Sequence, residues 1–206
     1  MNDRALRINL ARCAQDSYSF KGKLLQDRMI LEDKQEQELG NWELIQFGIY
    51  RIIQGPHTGE RVMAFRGSQT ALTFLQDLTI ALHSPLIRAT IKNAAAAARD
   101  SGVDWVCGHS LGGFIAECVC ARTGIGGASF QAPGPWAPIR RYSYVRGNKY
   151  ANRPFEVHLT RSDPVSKLGI VTPRFSHIGE PDWHSHSELH SISAIRKHIE
   201  SKHPLN

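Results

Sequence analysis

No apolar run in this sequence approaches the roughly 18 residues that a membrane-spanning helix needs. The amino-terminal stretch MNDRALRINLARCAQD interrupts its apolar residues with charge every few positions and does not resemble a secretion signal. The expectation is synthesis and folding in the cytoplasm, with export by a leaderless route as the other option. Cysteine is scarce. Cys13, Cys107, Cys118 and Cys120 are the only four in 206 residues, and no two have CxxC spacing, which argues against a zinc or dithiol motif. The last three fall in segments that read as buried strand and helix, so reduced, packed thiols are expected. There is no internal repeat and no linker, so residues 1–206 read as one domain. Zinc-finger and RNA-binding signatures are also missing, so nucleic acid is not an expected partner despite a formal net charge of +6. That charge fits either an anionic surface or solubility alone.

What is present is an alternation of strand-like and helix-like segments. Leu6, Leu10, Ala14 and Tyr18 have helical spacing over residues 4–18. The polar residues 32–40 read as a solvated connection. Residues 42–53 and 60–65 read as strands joined across the turn QGPHTG. Residues 71–84 are apolar with helical spacing, and Pro85 opens a second helical stretch to Arg99, with Gly102 at its end. Residues 103–107 form a short buried strand, 111–122 a helix, 126–133 a strand with its exit, and 155–160 another strand. Residues 173–179 are a candidate last strand, and 188–201 a closing amphipathic helix. The pattern predicts an α/β fold with a central, mostly parallel sheet and helices on both faces. Ligands on such sheets bind at the carboxyl ends of the strands.

One motif sits at such an end. Gly108-His109-Ser110-Leu111-Gly112 has the form G-x-S-x-G between an expected strand and an expected helix. The chemistry explains the spacing. A serine at a tight, strained turn projects its hydroxyl above the sheet, and side chains at the flanking positions would collide with the turn or its neighbours. The following helix points its positive end at the site. The competing reading is a glycine-rich turn with a helix-capping serine.

A serine hydroxyl needs a base to take its proton, and on the α/β-hydrolase fold the chain order is Ser, then Asp or Glu, then His. Asp163 follows the strand FEVHLT in a loop, where a catalytic acid belongs. Its alternative role is an Asp-Pro turn starter, and Asp182 is the fallback acid. His177, His184, His186 and His190 all follow Asp163. His190 is preferred because it stands at the start of the closing helix, with His184 and His186 as the alternatives. The His-Ser-His spacing at 184–186 hints at a metal site, but no completing ligand set is evident, so no metal is assigned. The roles that follow are nucleophile for Ser110, base for His190 and orienting acid for Asp163. The backbone N–H of Leu111 is one oxyanion donor.

The segment Ala64-Phe65-Arg66-Gly67-Ser68 resembles the A-F-R-G-[ST] segment of the class 3, fungal-lipase-like α/β-hydrolases. Gly108 to Gly113, GHSLGG, is similar to their elbow, and Ala132-Pro133, Asp163-Pro164-Val165, His190-Ser191-Ile192 and the early Ser17-Tyr18 agree in order. The resemblance implies a second oxyanion donor from Ser68 and hydrolysis of lipid carboxyl esters, acylglycerols or phospholipids, with neither metal nor organic cofactor. Arg66 and Asp77 match positions that are structural in that family. The chain is short between Ser68 and the nucleophile strand, so only residues 71–84 are available for a reduced lid, and a small pocket suits short-chain esters or phospholipids. The segment from Arg140 to Arg153 interleaves five basic residues with Tyr142, Tyr144 and Tyr150 and has no acid, a composition suited to an anionic membrane surface. An acyltransferase or thioesterase using the same serine, or a silent binding module on the same fold, are the competing functions.

Overall fold

The computed structural model describes residues 3–18, 29–33, 50–54, 60–67, 85–135, 154–171 and 177–202. Their order is α1 (Asp3–Asp16), β1 (Met29–Asp33), β2 (Tyr50–Gln54), β3 (Arg61–Phe65), α2 (Pro85–Asp100), β4 (Trp105–His109), α3 (Leu111–Thr123), β5 (Gly127–Phe130), β6 (Phe155–Thr160), α4 (Pro164–Val171), β7 (Pro181–His184) and α5 (Ile192–Lys202). The seven strands form one sheet in sequence order. β1, β2 and β3 pair antiparallel, and β3 through β7 pair parallel. The sheet is mixed and parallel over β3 to β7, as the alternation of segments predicts.

The sheet is parallel at its centre because helical crossovers join β3 to β4 and β4 to β5, and such helices bury both of its faces. Alternate residues of β2 and β3 divide between two cores. Ile52, Met63 and Phe65 join Val106 against α2 and α3, while Ile53, Val62 and Ala64 join Cys107, Ala128 and Phe130 against α1 and α5. Covering helices make the strands read as continuous apolar runs. The alanines of α2 keep that helix close to α3, with Ala94, Ala95 and Ala98 in the core. Arg7 of α1 grips Glu156 of β6 at 2.6 and 2.8 Å, and Arg12 bonds Glu200 of α5 at 2.8 Å. All four cysteines are buried thiols. No helix of the described residues is long and apolar enough to cross a membrane.

Four segments differ from the sequence reading. The last described strand is Pro181–His184; of the strand expected at 173–179, residues 177–179 are loop and 173–176 lie outside the described residues. His177 and Ile178 are taken by buried Glu117 of α3, whose carboxylate accepts the Ile178 N–H at 3.2 Å and meets His177 Nδ1 at 2.8 Å. Those groups are therefore bonded to a side chain instead of a sheet neighbour. The closing helix starts at Ile192, because Ser191 caps it by accepting the Ala194 N–H on its hydroxyl at 3.3 Å. β1 is an edge strand, where one paired side suffices and the mixed sequence MILED is tolerated. α4 is a short helix that the Asp-Pro pair starts, with Pro164 at its first position. The strand expected at 42–53 is described only from Tyr50. Residues 71–84, with Asp77, and 140–153 lie outside the described residues, as does Ser68.

Candidate active site

Ser110 joins β4 to α3 with φ 60° and ψ −127°, a conformation that L residues rarely adopt. Its backbone is fixed from both sides. The Ser110 N–H donates to the Phe130 carbonyl at 2.9 Å, and its carbonyl accepts the Phe114 N–H at 3.1 Å. The side chain makes no capping hydrogen bond to α3, which removes the competing explanation of a capping serine. Glycine is required on both sides of the turn. A Cβ on Gly108 would overlap the Gly112 backbone, and one on Gly112 would overlap the Phe65 carbonyl. The end of β3 presses on the same turn, because a Cβ on Gly67 would stand 2.6 Å from the His109 carbonyl and 3.0 Å from Ser110 Cβ. Leu111 opens α3 at its positive end and is buried.

Asp163 is fully buried at the carboxyl end of β6, where it caps α4. One carboxylate oxygen accepts the Val165 N–H at 3.0 Å. The other accepts the Ser166 N–H at 3.1 Å and the Ser166 hydroxyl at 2.6 Å. The first oxygen also stands 3.1 Å from His190 Nδ1. His190 lies in the loop before α5, and its ring centroid is 4.6 Å from that of His109, the residue before Ser110. The expected acid and the expected base are thus in direct contact, with the base beside the elbow.

The other histidines are occupied elsewhere. His177 pairs with buried Glu117. His186 Nε2 is 2.9 Å from the Thr160 hydroxyl. His184 is buried 3.0 Å from His158, and burial, then that neighbour, hold it well below the usual histidine range as a neutral ring. Asp182, the fallback acid, faces His158 and His184 rather than His190.

A buried hydrogen-bond chain, which sequence reasoning did not find, links three loops of the site. Gly67 N–H donates to the Tyr18 hydroxyl at 3.1 Å, and that hydroxyl is 2.9 Å from His109 Nδ1. His109 Nε2 is 3.0 Å from Gln131 Oε1. The Gln131 amide donates to Thr160 Oγ1 at 2.9 Å and to the Leu189 carbonyl at 3.1 Å. The last contact orients the chain. A carbonyl only accepts, so the Gln131 nitrogen faces Leu189 and its oxygen faces His109. His109 therefore carries its proton on Nε2 and accepts from Tyr18 at Nδ1. Burial, then the nearby His190, push His109 well below the usual range, opposed by the Gln131 bond, so it is neutral. Burial also pushes the Tyr18 phenol up, so it keeps its proton. The sequence carried a faint signal for this chain in Ser17-Tyr18 and in Gln131 before Ala132-Pro133, but neither residue has a reactive pattern of its own.

No protein-family profile matches the sequence, and no curated protein matches it. Solved structures do. Lip2 lipase from Yarrowia lipolytica has a TM-score of 0.56 at 13% identity, over 89% of this chain and 79% of that one. The Rhizomucor miehei lipase, solved with its propeptide, has a TM-score of 0.56 at 14% identity, over 97% and 77%. MDLA from Penicillium cyclopium, in a mutant form, has a TM-score of 0.50 at 18% identity, over 93% and 82%. The likeness lies in the backbone rather than the sequence, and this chain has the α/β-hydrolase fold of the fungal lipases.

Proposed function

We infer that the protein is a serine carboxyl-ester hydrolase acting on lipid esters, a lipase or phospholipase A, with Ser110, Asp163 and His190 as its triad. The observation that carries this is the strained Ser110, whose hydroxyl is not used as a helix cap, together with the His190 ring, which is paired to buried Asp163 and lies against His109, the residue before Ser110. In the reaction, Ser110 Oγ attacks the ester carbonyl carbon while His190 Nε2 takes its proton. Asp163 holds the Nδ1–H side and stabilises the imidazolium. The tetrahedral oxyanion accepts from the N–H groups of Leu111 and Ser68. Support for the second donor is Gly67, the neighbour of Ser68, which packs on Ser110. Collapse expels the alcohol, which takes the proton back from His190. Water, deprotonated by His190, then releases the acid from Ser110.

A lipid substrate is supported by fold relatives that are themselves lipases. The basic and tyrosine-rich segment from Arg140 to Arg153 is suited to meet an anionic membrane peripherally. The test is labelling with a fluorophosphonate, run beside fatty-acid release from phospholipid liposomes and acylglycerol emulsions. Wild type should be labelled and release fatty acid from one of the two, while Ser110→Ala does neither. A folded wild type that resists the probe and releases nothing would overturn the reading.

A further inference from the structure

We propose that His158, Asp182 and His184 bind a divalent transition metal of the zinc class, at a site separate from Ser110. The three residues come from β6 and β7, which pair in parallel with His158 opposite Asp182 and Thr160 opposite His184. Neighbours across a register and residues two apart on one strand share a face, so all three side chains rise from the same side of the sheet. Their donor atoms converge. His158 Nδ1 is 3.0 Å from His184 Nε2 and 3.7 Å from Asp182 Oδ2, and His184 Nε2 is 3.5 Å from the same oxygen. Tetrahedral zinc, with bonds of about 2.0–2.1 Å, separates its ligands by about 3.3–3.4 Å. The triangle is already the size of one face of that tetrahedron, with nitrogen and carboxylate donors that zinc accepts.

The surroundings fit the same ion. His158 presents its other nitrogen, Nε2, 3.0 Å from Glu156, whose carboxylate is also held by Arg7. A carboxylate behind a histidine fixes the tautomer and ring orientation in metal sites. With that proton directed to Glu156, Nδ1 offers its lone pair to the triangle. Phe130 stacks on His158 with centroids 5.1 Å apart and planes within 8°, holding the ring in place. The two histidines are buried, whereas the Asp182 side chain is 52% exposed, so the cluster opens to solvent on the Asp182 side. The bound ion would tie edge strand β7 to β6, the strands whose carboxyl-end loops carry His190 and Asp163.

The test uses the full chain stripped by a chelator and dialysed, titrated calorimetrically with Zn²⁺, with Co²⁺ as a spectroscopic probe. Wild type should take up a single equivalent, show the intense visible bands of tetrahedral Co²⁺, and gain about 5–10 °C in Tm at a hundredfold excess over Kd. Asp182→Ala removes a half-exposed ligand without touching the core and should weaken Zn²⁺ binding at least tenfold and abolish the Co²⁺ bands. No uptake by wild type would overturn the proposal. So would unchanged affinity in a folded Asp182→Ala, because the ion would then sit elsewhere. None of these readouts depends on esterase activity, so they stand or fall apart from Ser110.

Discussion

Asp163→Asn separates the proposed catalytic acid from a helix cap, because the one carboxylate both caps α4 and meets His190. Its Oδ1 receives the Val165 N–H and faces His190 Nδ1, while its Oδ2 receives the N–H and hydroxyl of Ser166. Asparagine has one oxygen and must turn its NH₂ toward one of these pairs. Turned to Ser166, it leaves that buried N–H facing a donor. Turned to Val165, it orphans the Val165 N–H and makes His190 accept at Nδ1, which moves the imidazole proton to Nε2 where it blocks uptake from Ser110. Either way a buried donor loses its acceptor, at about 1–3 kcal/mol, and the start of α4 loses a negative charge at about 0.3–1 kcal/mol. The total, about 1–4 kcal/mol, lies within the roughly 5–15 kcal/mol of an ordinary domain, so the variant should fold. Its Tm should fall by roughly 3–15 °C. On a soluble nitrophenyl ester, kcat should fall roughly 10³–10⁴-fold with little change in KM. Ser166→Ala, which removes only the hydroxyl donor, should destabilise the protein with a far smaller loss of kcat. If Asp163→Asn loses the stated stability but keeps kcat within tenfold of wild type, Asp163 is a cap and the acid has been misassigned.

Two further outcomes follow from the buried chain beside the elbow. Gln131→Leu leaves the His109 Nε2–H, the Thr160 hydroxyl and the Leu189 carbonyl without their shared partner. It should cost about 2–4 kcal/mol by chemical denaturation and, by loosening the residue before His190, reduce kcat roughly 10²-fold; lost stability with kcat intact would make the chain structural only. His109 is neutral in the fold and titrates near 6.5 when unfolded. Its folded value is depressed, so below pH 6.5 the unfolded state binds the extra proton and stability falls. Urea denaturation should show its contribution as about 1 kcal/mol lost between pH 6.5 and 5.5, on top of other titrating groups. In His109→Asn that part of the slope should vanish, and an unchanged slope would refute the assignment.

The parts of the candidate site whose local structure was legible in the sequence are those fixed by local geometry. The elbow announces itself because Gly108 and Gly112 are forced by close backbone approach, a requirement that leaves a fixed spacing. Asp163 is legible because a strand end and a helix cap both select an acid there. The partners of the histidines other than His190 were not legible, since they depend on which strands pair. His184 is directed to His158 by the β6–β7 register, a neighbour on another strand that the sequence around 184–186 does not reveal. The strand expected at 173–179 has suitable composition, but Glu117, some sixty positions earlier, captures His177 and Ile178. The helix boundary near His190 shifted for a local reason, the Ser191 cap, which the apolar periodicity of residues 188–201 obscured.

Ser110 and Gln131 are the only non-glycine residues at positive φ among the described residues, at 60° and 46°. They occupy matching places. Each immediately follows a central parallel strand, and the register pairs His109 with Phe130 just before them. Such conformations cost of order 1–3 kcal/mol apiece and persist only where the surroundings determine them. Here the sheet does so by running one step past each strand: Ser110 N–H bonds the Phe130 carbonyl at 2.9 Å, and Gln131 N–H bonds the His158 carbonyl at 2.8 Å. Serine and glutamine have no local reason to prefer a positive φ, unlike glycine. The strain is instead explained by what it directs. At one strand end it lifts a hydroxyl off the helix it would otherwise cap; at the next it aims a carboxamide at the backbone of the loop that carries His190. A fold concerned only with stability would relax both positions, so two adjacent strained turns serving one loop cluster are themselves an argument that this end of the sheet does chemistry.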